Sequence, residues 1–251
     1  MPEVKGNITG LKPNQKKSLQ RFFQRRLDRS SLISWELARQ LTEISQEIGR
    51  QVGLLVDRKG IILQVFVGDS KSIMISELGR FRAGKSRFRG VRWLHTHLNS
   101  EPLTQDDLTD LALLRFDAVA AIEALPNGLP GNISAAWLEP AGKTPWHVEP
   151  SQPLANFQLD FYGLITALEQ EFARQIDSQA TGHQFRRAIL VGVTVDRLED
   201  LQRSMAELAE LARSADIEVV ETVTQKRPRL NPKFVVGSGK LTEIMITAMQ
   251  K

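Results

Sequence analysis

The chain has 251 residues, 41% of them hydrophobic and 25% charged, with a net charge of +4 and no cysteine. That length fits two domains, and the missing cysteine excludes disulfides, thiolate zinc sites and a cysteine nucleophile. No run of about 18 apolar residues is present, and the opening MPEVKGNITGLKPNQ lacks the apolar stretch of a secretory signal; a cytoplasmic protein with no membrane partner is expected.

In chain order, a basic helix is predicted over 12–26, with Leu19, Phe22 and Phe23 on one side and Pro13 in its first turn. A second helix is predicted over 34–49, capped by Ser34, with Leu37, Leu41, Ile44 and Ile48 at helical spacing. The pattern then changes. Apolar runs at 51–57 and 61–67, separated by Arg58-Lys59-Gly60, predict a β-hairpin. Strands follow at 72–76 and 91–95, a short helix at 106–114 with Thr104 as cap, and strands at 116–124 and 133–138. Residues 139–153 hold Pro140, Pro145, Pro150 and Pro153 and are expected to form an edge segment and boundary.

A helix is predicted over 154–176 and a polar connector over 177–183. The continuous apolar run at 187–195 reads as a buried strand. Leu198, Leu201, Met205, Leu208 and Leu211 then mark a helix, and 216–223 a second strand. A helix between two strands predicts a right-handed βαβ crossover with parallel pairing. Residues 233–236 are a candidate third strand and 238–250 a last helix. The class expected is mixed α/β: an α+β first domain over 1–150, a helical connector over 151–183, and a small parallel-sheet βαβ domain over 184–251.

Three basic clusters bear on partners. Arg80, Arg82, Lys85, Arg87, Arg89 and Arg92 form one. Lys12, Lys16, Lys17, Arg21, Arg25 and Arg26 form another, and Lys226, Arg227, Arg229 and Lys233 a third. Such clusters neutralise phosphates and release counterions, so RNA is a candidate partner; solvated surface charge is the alternative. Aromatic residues are 6% of the chain, with a single tyrosine. RNA would therefore be met through phosphates and shape rather than by stacking.

One constellation can carry chemistry. His95 and His97 lie at i, i+2 on a predicted strand, so they point to one side, and Asp107 on the next helix can return to them. Three protein ligands leave a fourth position open, the arrangement a catalytic zinc needs. The alternative is a structural turn in which the histidines hydrogen-bond and Asp107 caps or orients the helix. Leu94-His95-Thr96-His97 with Thr104 and Asp107 resembles the HxHx7SxxD signature of JAMM-type metalloproteases. The resemblance implies a zinc site with Thr104 near the oxyanion position. There are departures. Six residues rather than seven separate His97 from Thr104, Thr104 stands for serine, and Leu98 for proline. The glutamate that resemblance would supply as general base is matched by Arg50 and Gln51. Glu47 lies one helical turn earlier and Glu77 on a distant strand end, and neither matches the position of that base.

The last third resembles a different family. The Val191-Gly-Val strand, the Leu/Ala-rich helix, Glu221-Thr-Val-Thr-Gln-Lys-Arg, the loop Arg229-Leu-Asn-Pro-Lys-Phe and Val236-Gly-Ser-Gly-Lys-Leu-Thr-Glu occur in order. Together they resemble the N-terminal, nucleotide-independent part of HflX-type GTPases, which act on the large ribosomal subunit. GNITGLKPNQKKSL, IGRQVGLLVDRKG and HTHLNSEPLTQDDLTDLALLRFD resemble the longer N-terminal extension of some members. The resemblance implies a binding region whose partners are the large-subunit rRNA and its own G domain. It also implies a small last domain cut short before its final strand and helices. GTP and magnesium would belong to the full-length family member. Gly237, Gly239 and Lys240 do not make a P-loop: in GxxxxGK[ST] the first glycine would fall at Phe234, and Leu241 follows the lysine. A tight turn and helix entry fits these glycines better, with anion binding at the helix start as the alternative. The guanine-specifying NKxD motif is absent as well.

Overall fold

The computed structural model describes residues 3–75, 88–139, 144, 146–179, 186–230 and 235–250. The chain divides into two compact units, one of residues 1–142 and 146–173, the other of residues 143–145 and 174–251. Together they give the mixed α/β class expected.

The first unit is built on a seven-stranded mixed sheet. Its strands are β1 (Val4–Gly6), β2 (Val52–Asp57), β3 (Ile62–Val67), β4 (Val91–His97), β5 (Ala118–Ala124), β6 (Pro130–Leu138) and β7 (Trp146–Pro153). Their order is β1-β3-β2-β4-β5-β6-β7. The hairpin β2–β3 is antiparallel, and Gly60 closes it at a φ of +82°. A Cβ at Gly60 would lie 1.9 Å from the Leu27 carbonyl oxygen, so the turn requires glycine. β2 and β4 are buried along nearly their whole length; β2 is accordingly a near-continuous apolar run, whereas β4 carries Arg92, His95, Thr96 and His97 into the interior.

Helices α1 (Pro13–Arg21), α2 (Trp35–Ile48), α3 (Gln105–Leu114) and α4 (Phe161–Gln179) accompany the sheet. Ser34 caps α2 by accepting from the Leu37 amide at 3.2 Å. Leu37, Ala38, Leu41 and Ile44 are buried on its inner face, while Trp35 is half exposed. Ser45 reaches Thr96 of β4 at 2.7 Å, so Thr96 faces α2. Because side chains alternate along a strand, His95 and His97 face the other way. β4 and β5 pair in parallel, joined by α3. The end of β4 therefore meets the start of α3, where side chains from strand and helix can converge.

Several elements differ from expectation. β1 was not foreseen; three residues are too short for a pattern, and pairing with β3 creates the strand. No strand forms over 72–75. The Asp69 carboxylate there accepts from the amides of Lys71 and Ser72 at 2.7 Å each, and a local turn replaces the ladder. The first basic helix stops at Arg21 and tightens into a 3-10 turn over Phe22–Gln24. The helix expected from 154 is a 3-10 turn at Leu154–Asn156, a break, then α4 from Phe161. Asp160 interrupts it by capping Gly163 at 3.0 Å. The Pro-containing segment does form an edge strand, β7 against β6.

The second unit holds β8 (Arg186–Thr194), α5 (Leu198–Ser214), β9 (Ile217–Lys226) and α6 (Ser238–Gln250). β8 and β9 pair in parallel, as the crossover argument requires. Gly192 lets α5 close on the sheet, since a Cβ there would lie 2.7 Å from Met205 Sδ. The expected strand at 233–236 falls partly on residues 231–234, outside the described residues; Val235 and Val236 form a bend.

Candidate metal centre and basic surfaces

His95 and His97 end β4, and Asp107 sits in the first turn of α3. Their Nε2 and carboxylate oxygens all lie within 4.8 Å of one another. His95 Nε2 is 3.1 Å from Asp107 Oδ1, His97 Nε2 is 3.7 Å from Oδ2, and the two Nε2 atoms are 3.0 Å apart. Among the described residues, no other carboxylate, histidine or cysteine belongs to this group.

The protons can be placed by elimination. His97 Nδ1 donates to the Glu101 carbonyl at 2.9 Å, which leaves Nε2 as the bare nitrogen of a neutral ring. Burial, then the neighbouring His95, push the His97 imidazole below its ordinary value and outweigh the Glu101 carbonyl and Asp107. His95 Nε2–H is then the donor toward His97 and Asp107. Burial alone would raise the Asp107 carboxyl, but His95 and the donors of Thr104 hold it well below the usual carboxylate range. An ionised carboxylate and inward-facing imidazole nitrogens are the donor set of a zinc or similar divalent site. One feature is incomplete: His95 Nδ1 is buried and has no hydrogen-bond partner, whereas ligating histidines ordinarily have that nitrogen engaged.

Thr104 and Asp107 form a reciprocal capping box. The Asp107 Oδ2 accepts from both the amide and hydroxyl of Thr104 at 2.7 Å, and Thr104 Oγ1 accepts from the Asp107 amide at 3.3 Å. Thus Thr104 fixes one oxygen of Asp107 and leaves the other toward His95. The preceding loop turns at Ser100, which has a φ of +56°. It is anchored by the Leu103 amide on Ser134 Oγ of β6 at 3.0 Å.

Sequence reasoning missed the support of His95. Trp93 stacks on its ring at 5.6 Å with an interplanar angle of 19°, and Phe66 meets Trp93 edge-on. Gly53 pairs with His95 across the strands, and a Cβ there would lie 2.1 Å from Trp93 Cη2. Of the positions considered for a general base, Arg50 turns away to the carbonyl of Thr9 at 3.0 Å. Glu47 accepts from Gln15 of α1 at 3.1 Å. Glu77 lies outside the described residues. Gln51 is buried with its Nε2 unpartnered.

The basic clusters separate on inspection. All six cations from Lys12 to Arg26 are exposed. Arg92 is wholly buried, donates to the Ser31 carbonyl at 2.8 Å and stacks over Phe161. It cannot serve an RNA surface. Burial lowers its pKa to about 10 against the pull of Asp117, Asp57 and Asp28, so it stays charged at neutral pH. Arg80, Arg82, Lys85 and Arg87 lie outside the described residues. In the second unit Lys226 and Arg229 are exposed and Arg227 half-buried, with Arg227 donating to the Val235 carbonyl at 3.2 Å; Lys233 is outside the described residues. Gly237 lies just before α6, its amide donating to Gln225 Oε1 at 2.8 Å. Lys240 pairs with Glu243 at 2.6 Å, and the Cβ position of Gly239 is open. Among the described residues, no helix is long and apolar enough to cross a membrane.

The family described as GTP-binding GTPase N-terminal matches residues 202–251, the stretch from α5 through β9 to α6. Curated relatives narrow the class. The chain is 45% identical over 58 residues to GTPase HflX of Alkalihalophilus pseudofirmus, 23% of this chain and 14% of that one. It is 41% identical over 58 residues to GTPase HflX of Lacrimispora saccharolytica, again 23% and 14%. With GTPase HflX of Gluconacetobacter diazotrophicus it shares 39% over 59 residues, 23% of this chain and 13% of that one. Over this short segment the chain is similar to the N-terminal region of HflX-type GTPases; the match spans about a seventh of those relatives' length. No solved structure matches the chain.

Proposed function

We propose that this chain is a binding and regulatory region of an HflX-type GTPase that associates with the large ribosomal subunit. The single observation behind it is the match of residues 202–251 to the GTPase N-terminal family. The exposed Lys226 and Arg229 beside the half-buried Arg227, at the end of β9, would meet rRNA phosphates. GTP and magnesium would bind a G domain, the region's other partner, and the working division is 1–150, a connector over 151–183, and 184–251. A cytoplasmic setting follows from that partner. Co-sedimentation with large subunits tests the proposal. Binding should weaken steeply between low and moderate salt, and replacing Lys226, Arg227 and Arg229 together by alanine should flatten that dependence. Binding indifferent to salt and to the triple variant would discard it.

A second reading attaches to the first unit and rests on the convergence of His95, His97 and Asp107: a JAMM-like shell that holds zinc. The residues fit the metal in donor type and in the inward-facing His97 nitrogen, while the unpartnered His95 Nδ1 leaves the outer support incomplete. Bound zinc would supply Lewis acidity. His95 and His97 would bind through Nε2, Asp107 through its carboxylate, and Thr104 would position Asp107. For the zinc-dependent hydrolase alternative a base is still needed, and an amide at Gln51 cannot take a proton at neutral pH. Elemental mass spectrometry of the purified chain should find roughly one zinc per chain, lost in His95→Ala. A metal-free wild-type protein after zinc reconstitution would end this reading.

A further inference from the structure

Of the described residues, Gln51 is a neutral side chain among the few buried ones left with an unpaired donor. It is 2% exposed and its Nε2 has no hydrogen-bond partner. Thr42 donates to the Gly128 carbonyl, Ser134 accepts from Leu103 and Thr96 pairs with Ser45, whereas His95 Nδ1, Arg92 Nε and the Arg89 guanidinium share with Gln51 a buried nitrogen without a partner. Leaving a donor unpaired in the interior is costly, and such a group calls for a specific explanation.

Its position supplies one. Gly53 of β2 lies opposite His95 of β4 in the antiparallel ladder. Directly opposed residues share a sheet face, and residues two apart on a strand share it too. Gln51 lies two residues before Gly53, just ahead of β2, and alternation carried back from the strand puts it on the face of His95. Its backbone is fixed there, with its amide on the Asp69 carbonyl at 2.8 Å and its carbonyl accepting from Gly68 at 2.9 Å. With no side chain at Gly53, Gln51 is the buried polar residue that this alternation brings to the histidines' face.

We infer that Gln51 is a specificity-determining residue that donates its amide N–H to an oxygen of an anionic ligand, of the carboxylate class, held at the His95–His97–Asp107 cluster. The inference rests on the metal reading. A divalent cation on two neutral imidazoles and one carboxylate retains net positive charge, which favours an anion. The amide nitrogen is a donor and so suits an acceptor atom, and the net positive charge of the loaded cluster disfavours a cationic ligand. A glutamate at the same position would repel the same ligand. Gln51 thus makes the cluster a place to hold a carboxylate rather than to deprotonate a nucleophile.

The test uses the full chain loaded with cobalt(II), whose visible absorption reports both metal uptake and a change of ligand, titrated with acetate. Wild type should bind cobalt and respond to acetate. Gln51→Met, close in volume but without the donor, should keep its cobalt and bind acetate about tenfold more weakly. Gln51→Glu should bind it more weakly still. In the metal-free state Gln51→Met should melt no lower than wild type, because it removes an unpaired donor, whereas a merely structural glutamine would show a lower melting temperature. Unchanged acetate affinity in Gln51→Met, or no acetate response in cobalt-loaded wild type, overturns the inference and leaves the metal reading standing. A wild-type chain that takes up no cobalt overturns both.

Discussion

Gly53 shows how much a missing side chain can decide. Trp93 occupies the space a Cβ would need, 2.1 Å away at its Cη2, and its indole lies flat against His95. Gly53→Ala should force the indole to shift in a packed interior at a cost of about 1–3 kcal/mol. Thermal or urea unfolding measures that cost, and the shift should also lower zinc retention, since the His95 ring loses its platform. A variant with unchanged stability and zinc content would show that the stack does not hold His95. The histidines themselves could be read from the sequence because i, i+2 on a strand puts both on one side. The roles of Gly53, Trp93 and Gln51 could not. They depend on the register of β2 against β4, which no local pattern encodes.

Among the elements, α3 links fold to site. Its first turn carries Asp106 and Asp107, which suits the positive end of the helix dipole. Thr104 and Asp107 cap it reciprocally. Thr104→Ala should lower stability by about 1 kcal/mol and remove the hydroxyl's share of the hold on Asp107 Oδ2, leaving it only the backbone amide of residue 104. Chemical denaturation gives the first effect, and a reduced zinc affinity the second; Thr104→Ser should recover most of both. Helix α2 was legible from its cap and apolar spacing. The strand expected at 72–76 was not there to be read: its apolar residues satisfy the pattern, but Asp69 holds the amides of Lys71 and Ser72 in a turn. Met74 is left 62% exposed, so the run has no core to bury against.

The two units of the whole molecule differ in how thoroughly they bury their apolar residues. In the first, β2, β4 and β5 are closed off along nearly their whole length. In the second, a two-stranded sheet carries a single described crossover helix, and Val191, Leu208 and Leu211 are 41%, 44% and 66% exposed. A two-stranded sheet is marginal in water unless something packs on it, and little buried apolar surface means low local stability. Hydrogen exchange should therefore find the amides of β8 and β9 much less protected than those of β2, β4 and β5. Equal protection in a monomer would contradict this.

The sequence by itself determined the mixed α/β class, the parallel crossover β8–α5–β9, the pairing of β2 with β3, and the presence of two histidines on one strand face. Periodicity, turn residues and caps act over a few residues and are written locally. Only the tertiary structure decided which polar groups are engaged. It withdrew Arg92 from the surface into the interior, turned Arg50 toward the loop before α1, brought Asp107 to His95 and left Gln51 buried without a donor's partner. Each of these depends on strand register and burial between segments tens of residues apart, where a side chain's surroundings are set by the rest of the fold and not by its neighbours in the chain.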